Sequence, residues 1–251
     1  MAALFAGHGS PMNAIEENEF TRGLRDAARR IPRPQSILCI SAHWQTRGVY
    51  VTGSGRPPTI HDFSGFPKEL HEVQYPAPGD PELARRVSGL AGARIDPERG
   101  LDHGAWGVLR IMYPEADIPV IQLSLDAGLT RAGHYELAKK LGPLRDDGVL
   151  IVASGNIVHN LRAVDFTRND GVEWAVRFND EIKRLILAGA HDQLAAFDKP
   201  SPDVRMAVPT PEHFLPLLYT LAVKSDGERV SFFNDQIVMG SISMTSVLIG
   251  G

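Results

Sequence analysis

Residues 149–162 read VLIVASGNIVHNLR, and this stretch decides the class of fold. Its first four residues are continuously apolar, which is typical of a short strand buried on both faces of a sheet. The polar and small residues Ser154, Gly155 and Asn156 then break the apolar run, and His159 follows shortly afterwards. The stretch therefore predicts a core strand that ends next to an ionisable side chain.

Strand-like and helix-like segments alternate on both sides of that stretch. Apolar runs predict further strands at residues 2–6, 37–40, 49–52, 118–125, 230–233 and 241–249. Helical periodicity predicts helices at residues 20–31, 81–90, 105–112, 135–144, 172–187 and 210–223. The alternation predicts an α/β fold, a three-layer α/β/α domain around a largely parallel or mixed central sheet. We expect residues 1–251 to form a single domain, in which the Pro/Gly-rich loop 53–81 covers a functional site.

The composition favours a globular protein whose partners are neither nucleic acid nor membrane. The 251 residues are 43% hydrophobic, enough for a sizeable core, and the formal net charge is −4. Like charges form no block that would attract a polyanion. The single cysteine, Cys39, is expected to be a buried thiol in a reducing compartment. Since MAALFAGHGSP lacks a basic region and no apolar run approaches about 20 residues, we expect a cytoplasmic location.

Histidines follow three of the predicted strands. His8 comes after the first strand, His43 after the second and His159 after the strand quoted above. Ligands of open α/β sheets bind beyond the carboxyl ends of the strands, so these side chains should converge. His213, in PTPEHFLP, is predicted at the start of a helix that borders the same crevice. A set of imidazoles suits zinc or non-haem iron, although isolated histidines also occur as ordinary loop residues.

Two more histidines lie in segments rich in glycine and aromatic residues. His103 belongs to GLDHGAW, and His61 belongs to TIHDFSGFP in the long loop. They are interpreted either as acid/base groups that contact an aromatic substrate or as turn residues that pack against Phe63 and Trp106. The hydroxyl of Ser10, in GHGSP, lacks the G-x-S-x-G frame of an activated serine and is expected to cap a helix.

Seven motifs spread over nearly the whole chain carry a resemblance to a known family. They read GHGSPMNAIEENEFTR, ISAHWQTRGVYVT, TIHDFSGFP, YPAPG, DHGAWGVLRIMYPEADIPVIQLSL, SGNIVHNLR and PTPEHFLPLLYTL. In this order they resemble the DOPA-dioxygenase branch of the class III (LigB-type) extradiol ring-cleavage dioxygenases. The resemblance implies metal ligation by His8, His43 and His213, an acid/base role for His159 and a substrate-side position for His103.

Two assignments around the metal have alternatives: the identity of the third ligand and the role of His159. Non-haem iron enzymes generally use two histidines and one carboxylate, so Glu212 is an alternative to its neighbour His213, which the resemblance favours. His159 is either a fourth ligand or an acid/base group only. The resemblance implies Fe²⁺ for catalysis, and an all-histidine shell also accepts Zn²⁺ in purified protein. No residues are predicted to bind any other cofactor.

The resemblance therefore implies a metal-dependent extradiol dioxygenase that inserts O₂ into a catechol ring, of DOPA or a related compound, to give a semialdehyde. His159 and His103 are the predicted catalytic residues, while His61 and His103 are the predicted substrate contacts. Two alternatives use the same histidines: a zinc-dependent hydrolase that activates water, and a non-catalytic metal-binding interaction protein. The fold does not fix the substrate, and the sequence does not indicate an oligomeric state.

Overall fold

An eight-stranded sheet forms the centre of the computed structural model, which describes residues 1–196 and 202–251. Its strands are β1 Ala3–Gly7, β2 Ser36–Thr46, β3 Tyr50–Thr52, β4 Arg94–Asp96, β5 Val120–Asp126, β6 Val149–Gly155, β7 Val230–Phe233 and β10 Ser246–Ile249. A separate antiparallel pair consists of β8 Ile237–Val238 and β9 Ile242–Ser243. The strand order in the large sheet is β4-β3-β5-β2-β6-β1-β10-β7.

The middle of this sheet is parallel and its outer part is mixed. Strands β5, β2, β6 and β1 pair in parallel, so their carboxyl ends share one edge. Strand β10 pairs antiparallel with β1 and β7, and β3 pairs antiparallel with β5 but parallel with β4. The predicted α/β class with a largely parallel or mixed sheet is confirmed, in its mixed form.

Helices cover both faces of the sheet. They are α1 Glu19–Arg30, α2 Lys68–His71, α3 Pro81–Ala91, α4 His103–Met112, α5 Arg131–Lys139, α6 Glu173–Leu187, α7 His191–Ala195, α8 Pro202–Ala207 and α9 Leu215–Ala222. Successive strand residues point to opposite faces, so Leu4 packs in the core that contains α1 and α4, whereas Phe5 packs in the core that contains α3, α5, α6 and α9. Two cores on either side of one sheet make the three layers.

Two predicted boundaries near the crevice were wrong. Strand β2 continues to Thr46 instead of ending at Ile40. Its pairing with β5 is interrupted after Ile40, but it resumes at Gln45 and so extends the strand past the predicted end. His43 therefore lies within a strand irregularity. Helix α9 begins at Leu215, with Pro216 in its first turn, where a missing N–H is tolerated. His213 consequently lies in the turn before the helix and not inside it.

Cys39 lies in β2 as a fully buried free thiol. Burial, followed by the charge of Asp102, raises the pKa of this thiol well above its ordinary value. The prediction of a buried cysteine is confirmed. Within residues 1–196 and 202–251, no helix has the length and apolar character needed to cross a bilayer.

Candidate active site

Three predicted histidines meet at the shared carboxyl edge of the parallel strands. His8 directly follows β1, and its backbone N–H donates to the carbonyl of Gly155 at the end of β6 (3.1 Å). His43 lies in the irregular part of the neighbouring β2. The turn that carries His213 rests on the end of β6, because Asn156 N–H donates to the His213 carbonyl (2.8 Å). A side chain at Gly155 would overlap that carbonyl, so this close approach requires glycine.

The side chains of His8, His43 and His213 form a group that fits a metal ion. One ring nitrogen from each lies within 4.8 Å of the others. The Nε2 atoms of His8 and His43 are 3.3 Å apart, and Nε2 of His213 is buried without a hydrogen-bond partner. A buried polar atom without a partner is costly unless an ion completes it. Three neutral imidazoles are a suitable donor set for Fe²⁺ or Zn²⁺.

The opposite ring nitrogens of two of these histidines are held by hydrogen bonds. Nδ1 of His8 is 2.9 Å from the Ser154 hydroxyl, and Nδ1 of His213 donates to Glu212 Oε1 (3.0 Å). Thr210 Oγ1 donates to the same Glu212 oxygen (2.7 Å). Such contacts fix the orientation of a ligating imidazole and leave Nε2 for the metal. Glu212 therefore contacts a candidate ligand and does not belong to the three-histidine group.

Burial and neighbouring charges keep the imidazoles of His8 and His43 neutral. Burial, and then the neighbouring histidines, lower the pKa of His8 well below its ordinary value. Burial and the charges of His103 and His213 lower the pKa of His43 to about 2. Burial raises the pKa of Glu212, but hydrogen bonds from His213 and Thr210 outweigh it and lower this pKa to about 2. Neutral imidazole is the form that can bind a metal, so His8 and His43 are in the state that a metal site requires.

His159 lies beside the three-histidine group. Its backbone N–H donates to the carbonyl of Ala207 (2.9 Å), and its ring stacks on that of His213 with centroids 3.5 Å apart. Its donor atoms group with Glu212 and His213, whereas His8 and His43 are absent from that group. Burial and then His213 lower the pKa of His159 to about 3. The imidazole is thus a neutral base on the flank of a candidate ligand.

His103 and His61, the two predicted substrate residues, differ in position. His103 is the first residue of α4, and its ring centroid lies 3.9 Å from that of His43. His61 is turned into the long loop, where its Nε2 donates to the Val73 carbonyl (2.9 Å) and its ring packs 5.6 Å from Trp106. The structure brings His103 to the three-histidine group and leaves His61 in an aromatic cluster with Phe63 and Trp106.

Sequence reasoning missed two residues that hold these histidines, Ser154 and Asp62. Asp62 Oδ1 accepts hydrogen bonds from the ring and the backbone N–H of His103, both at 2.9 Å. Burial raises the pKa of Asp62, but its bonds to His103 outweigh this and lower the pKa to about 2. An Asp beside a histidine in a motif was the available signal for Asp62. Ser10, in contrast, accepts a hydrogen bond from Met12 N–H and caps a short 3₁₀ helix as predicted.

Comparison with known proteins gives the same family along the whole chain. Residues 3–247 match the family described as the catalytic LigB subunit of aromatic ring-opening dioxygenase. A protein of Escherichia coli K12 named 4,5-DOPA dioxygenase extradiol is 47% identical, over 100% of this chain and 95% of its own. A protein of the same name from Beta vulgaris is 36% identical, over 96% and 94% of the two chains.

A solved structure gives the same result in three dimensions. The crystal structure of an uncharacterized Escherichia coli K12 protein has a TM-score of 0.87 and 42% identity, with 100% of both chains covered. Sequence identity of 42% and 47% over the full chain indicates a common family as well as a common fold. The chain therefore belongs to the LigB family of aromatic ring-opening dioxygenases, in the extradiol branch of the relatives named above.

Proposed function

We propose that this extradiol dioxygenase opens a catechol ring at a metal held by Nε2 of His8, His43 and His213. The single observation that carries the proposal is the convergence of the three imidazoles with the buried, unpartnered Nε2 of His213. Fe²⁺ is the proposed metal for turnover, because ring opening by O₂ requires a redox-active ion. Zn²⁺ suits the same neutral shell and is the proposed occupant of inactive preparations.

His213, and not Glu212, is the proposed third ligand. Glu212 Oε1 is engaged by Nδ1 of His213 and by the Thr210 hydroxyl, so its role is to orient the imidazole. His159 is proposed as an acid/base group and not as a fourth ligand. Its ring stacks on one ligand and does not share a donor group with His8 and His43, and a chelating substrate needs the remaining positions.

The side chains around the proposed metal have separate roles in the reaction. A bound Fe²⁺ would acidify the coordinated phenol and make the spin-forbidden reaction between O₂ and a closed-shell ring accessible. His159 Nδ1 or Nε2 accepts a phenolic proton and returns it when the ring opens, for which a neutral imidazole is required. His103 contacts the substrate from the side of His43. Phe63, which is partly exposed and packs against His103, supplies an apolar contact for the substrate ring, and the fully buried Trp106 supports Phe63 from behind.

The proposed substrate is DOPA or a related catechol. Both relatives described above carry the name 4,5-DOPA dioxygenase extradiol, and the product would be a ring-opened semialdehyde.

We also propose that residues 1–251 act as one catalytic domain. Pairing of β10 with β1 supports this, because it joins the first and the last strand along the chain within one sheet. The buried free thiol of Cys39 supports a reducing, cytoplasmic compartment.

Oxygen uptake distinguishes this function from its two rivals. Metal-free protein is loaded with Fe²⁺ or Zn²⁺ under nitrogen, mixed with DOPA or catechol, and then exposed to O₂. We expect stoichiometric O₂ uptake and a yellow semialdehyde with Fe²⁺ only. Activity with Zn²⁺ that does not consume O₂ would support the hydrolase, and metal binding without any turnover would support the interaction protein.

A matched pair of variants makes this test specific to the site. His43→Ala removes a candidate ligand, whereas His191→Ala removes a histidine of α7 whose Nδ1 lies 3.2 Å from the Tyr135 hydroxyl and which belongs to none of the candidate metal groups. We expect the first variant to lose Fe²⁺ and O₂ uptake and the second to retain both. Equal activity in the two variants would refute the proposed site.

A further inference from the structure

Asp62 makes two hydrogen bonds to His103 with one carboxylate oxygen. Its Oδ1 accepts the backbone N–H of His103 and the ring Nδ1–H, each at 2.9 Å. Asp62 belongs to the long loop between β3 and α3, and His103 begins α4. The loop thus holds both the main chain and the ring of a residue beside the three-histidine group.

The ring of His103 is restrained on its other sides as well. One neighbour is His43, with ring centroids 3.9 Å apart, and another is Phe63, nearly perpendicular at 5.5 Å. Only 8% of His103 is exposed. A side chain fixed by packing and by a hydrogen bond presents one geometry to a ligand.

The carboxylate also decides which ring nitrogen carries hydrogen. An ionised carboxylate only accepts hydrogen bonds, so Nδ1 of His103 must be the donor and Nε2 keeps its lone pair in the neutral ring. We propose that Asp62 is a positioning residue for His103, which it holds so that Nε2 accepts a hydrogen bond from a phenolic hydroxyl of the substrate. This inference rests on the proposed catechol-opening function and names the group that would recognise one catechol oxygen.

The adjacent carboxylate, Asp102, has a different task. It is fully buried, accepts Ala105 N–H (3.1 Å) as the N-cap of α4, and pairs with the side chain of Gln122. Because Asp102 already caps the helix, α4 does not need Asp62 to begin at His103. Asp62 is therefore the carboxylate through which the loop acts on the imidazole itself.

NMR shows directly which ring nitrogen of His103 carries hydrogen. The protein is labelled with ¹⁵N-histidine, loaded with diamagnetic Zn²⁺ and studied at about pH 8, above the ordinary imidazole pKa. His103→Gln identifies the signals of this residue. We expect Nδ1 to be protonated and Nε2 unprotonated in the wild type and in Asp62→Asn, whose Oδ1 still accepts both bonds. In Asp62→Ala we expect the Nε2-protonated form to appear.

Catechol affinity of the same Zn²⁺-loaded proteins tests the link to the substrate. In titration calorimetry, the Kd for catechol should be about 2- to 10-fold higher in Asp62→Ala than in the wild type, which corresponds to the loss of one hydrogen bond. Asp62→Asn should restore the wild-type Kd. Glu69→Ala, which removes an exposed carboxylate from the same loop, should leave spectrum and Kd unchanged.

Three results would overturn the inference: an Nε2-protonated ring in the wild type, an unchanged ring in Asp62→Ala, or an unchanged Kd despite a changed ring. If Asp62→Ala does not fold, the wild-type spectrum still shows whether Nδ1 or Nε2 of His103 is protonated. These measurements need no turnover. Failure of the Fe²⁺ enzyme to consume O₂ would refute the proposed function separately.

Discussion

The imidazole of His159 lies flat on the imidazole of His213, with ring centroids 3.5 Å apart and an angle of 7° between the planes. Burial is the main cause that lowers the pKa of His159, and the close His213 ring adds to it, because two imidazolium charges at this distance would repel each other. The stack keeps a neutral base next to a candidate ligand without occupying the ligand's metal-facing atom. This relationship gives the first prediction.

Replacement of His159 by Ala should separate proton transfer from metal binding. We expect His159→Ala to retain its Fe²⁺ and to bind catechol, because the three grouped imidazoles remain. Turnover should fall by about 10²- to 10⁴-fold, the usual contribution of a positioned acid/base group. Metal analysis, catechol titration and single-turnover kinetics check this. A variant that purifies without metal would instead make His159 an obligatory ligand.

The neighbours Glu212 and His213 should respond differently to the same change. Glu212→Gln keeps an oxygen that can accept from Nδ1 of His213, so metal should stay bound with an affinity about 10- to 100-fold lower. His213→Gln should lose the metal altogether. Competition with a chromophoric chelator measures both. The reverse order of affinities would favour a site of two histidines and one carboxylate.

Two glycines of α4 should show opposite effects when replaced by Ala. A Cβ at Gly104 would overlap Ser41 Oγ and lie 2.8 Å from Cδ2 of His43, so Gly104→Ala should cost about 1–3 kcal/mol and weaken metal binding. A Cβ at Gly107 would meet only Ala14 Cβ at 3.9 Å, so Gly107→Ala should gain about 0.5–1 kcal/mol from helix propensity. Denaturant titration with metal analysis measures both variants, and equal free energies of unfolding would contradict this account.

The ion pair between Arg145 and Glu228 should make stability depend on pH. Burial raises the pKa of Glu228, but hydrogen bonds from Arg145 and Ser225 and the Arg145 charge outweigh it, so this pKa lies below its ordinary 4.5. A lowered carboxyl pKa stabilises the fold above about pH 4.5, and the contribution is lost as the pH falls through the folded-state pKa.

Glu228→Gln is the variant that isolates this contribution. At neutral pH it should lower the free energy of unfolding by about 1–3 kcal/mol, because it weakens charged hydrogen bonds to the buried Arg145. The difference from the wild type should shrink below about pH 4.5. Denaturant titrations over this range measure it, and a difference independent of pH would refute the assignment.

Metal removal should destabilise the fold. The three candidate ligands lie directly after β1, in β2 and in the turn before α9, so a bound ion joins chain segments distant in sequence. At a free metal concentration of about 1,000 times the Kd, the expected gain in unfolding free energy is about 4 kcal/mol. Calorimetry with and without chelator measures the shift in Tm. His213→Gln is the control, in which chelator should have no effect.

The sequence by itself determined the α/β class and the edge at which the histidines meet. Apolar runs mark strands through local periodicity, and parallel strands place their carboxyl ends at one edge, so His8 and His43 could be predicted to converge. The exact end of β2 could not, because its interruption after Ile40 depends on pairing with β5. The start of α9 was misplaced because residues 210–213 form a turn that packs on the end of β6, a contact that the sequence does not reveal.

Only the tertiary structure decided how the histidines are held. Ser154 contacts His8 from 146 residues away, since β6 lies beside β1, and Asp62 contacts His103 across 41 residues, since the long loop packs on the start of α4. The stack of His159 on His213 likewise joins two separate turns. Hydrophobic periodicity and motif spacing report local conformation, whereas these contacts arise from side-chain packing between elements that are distant along the chain.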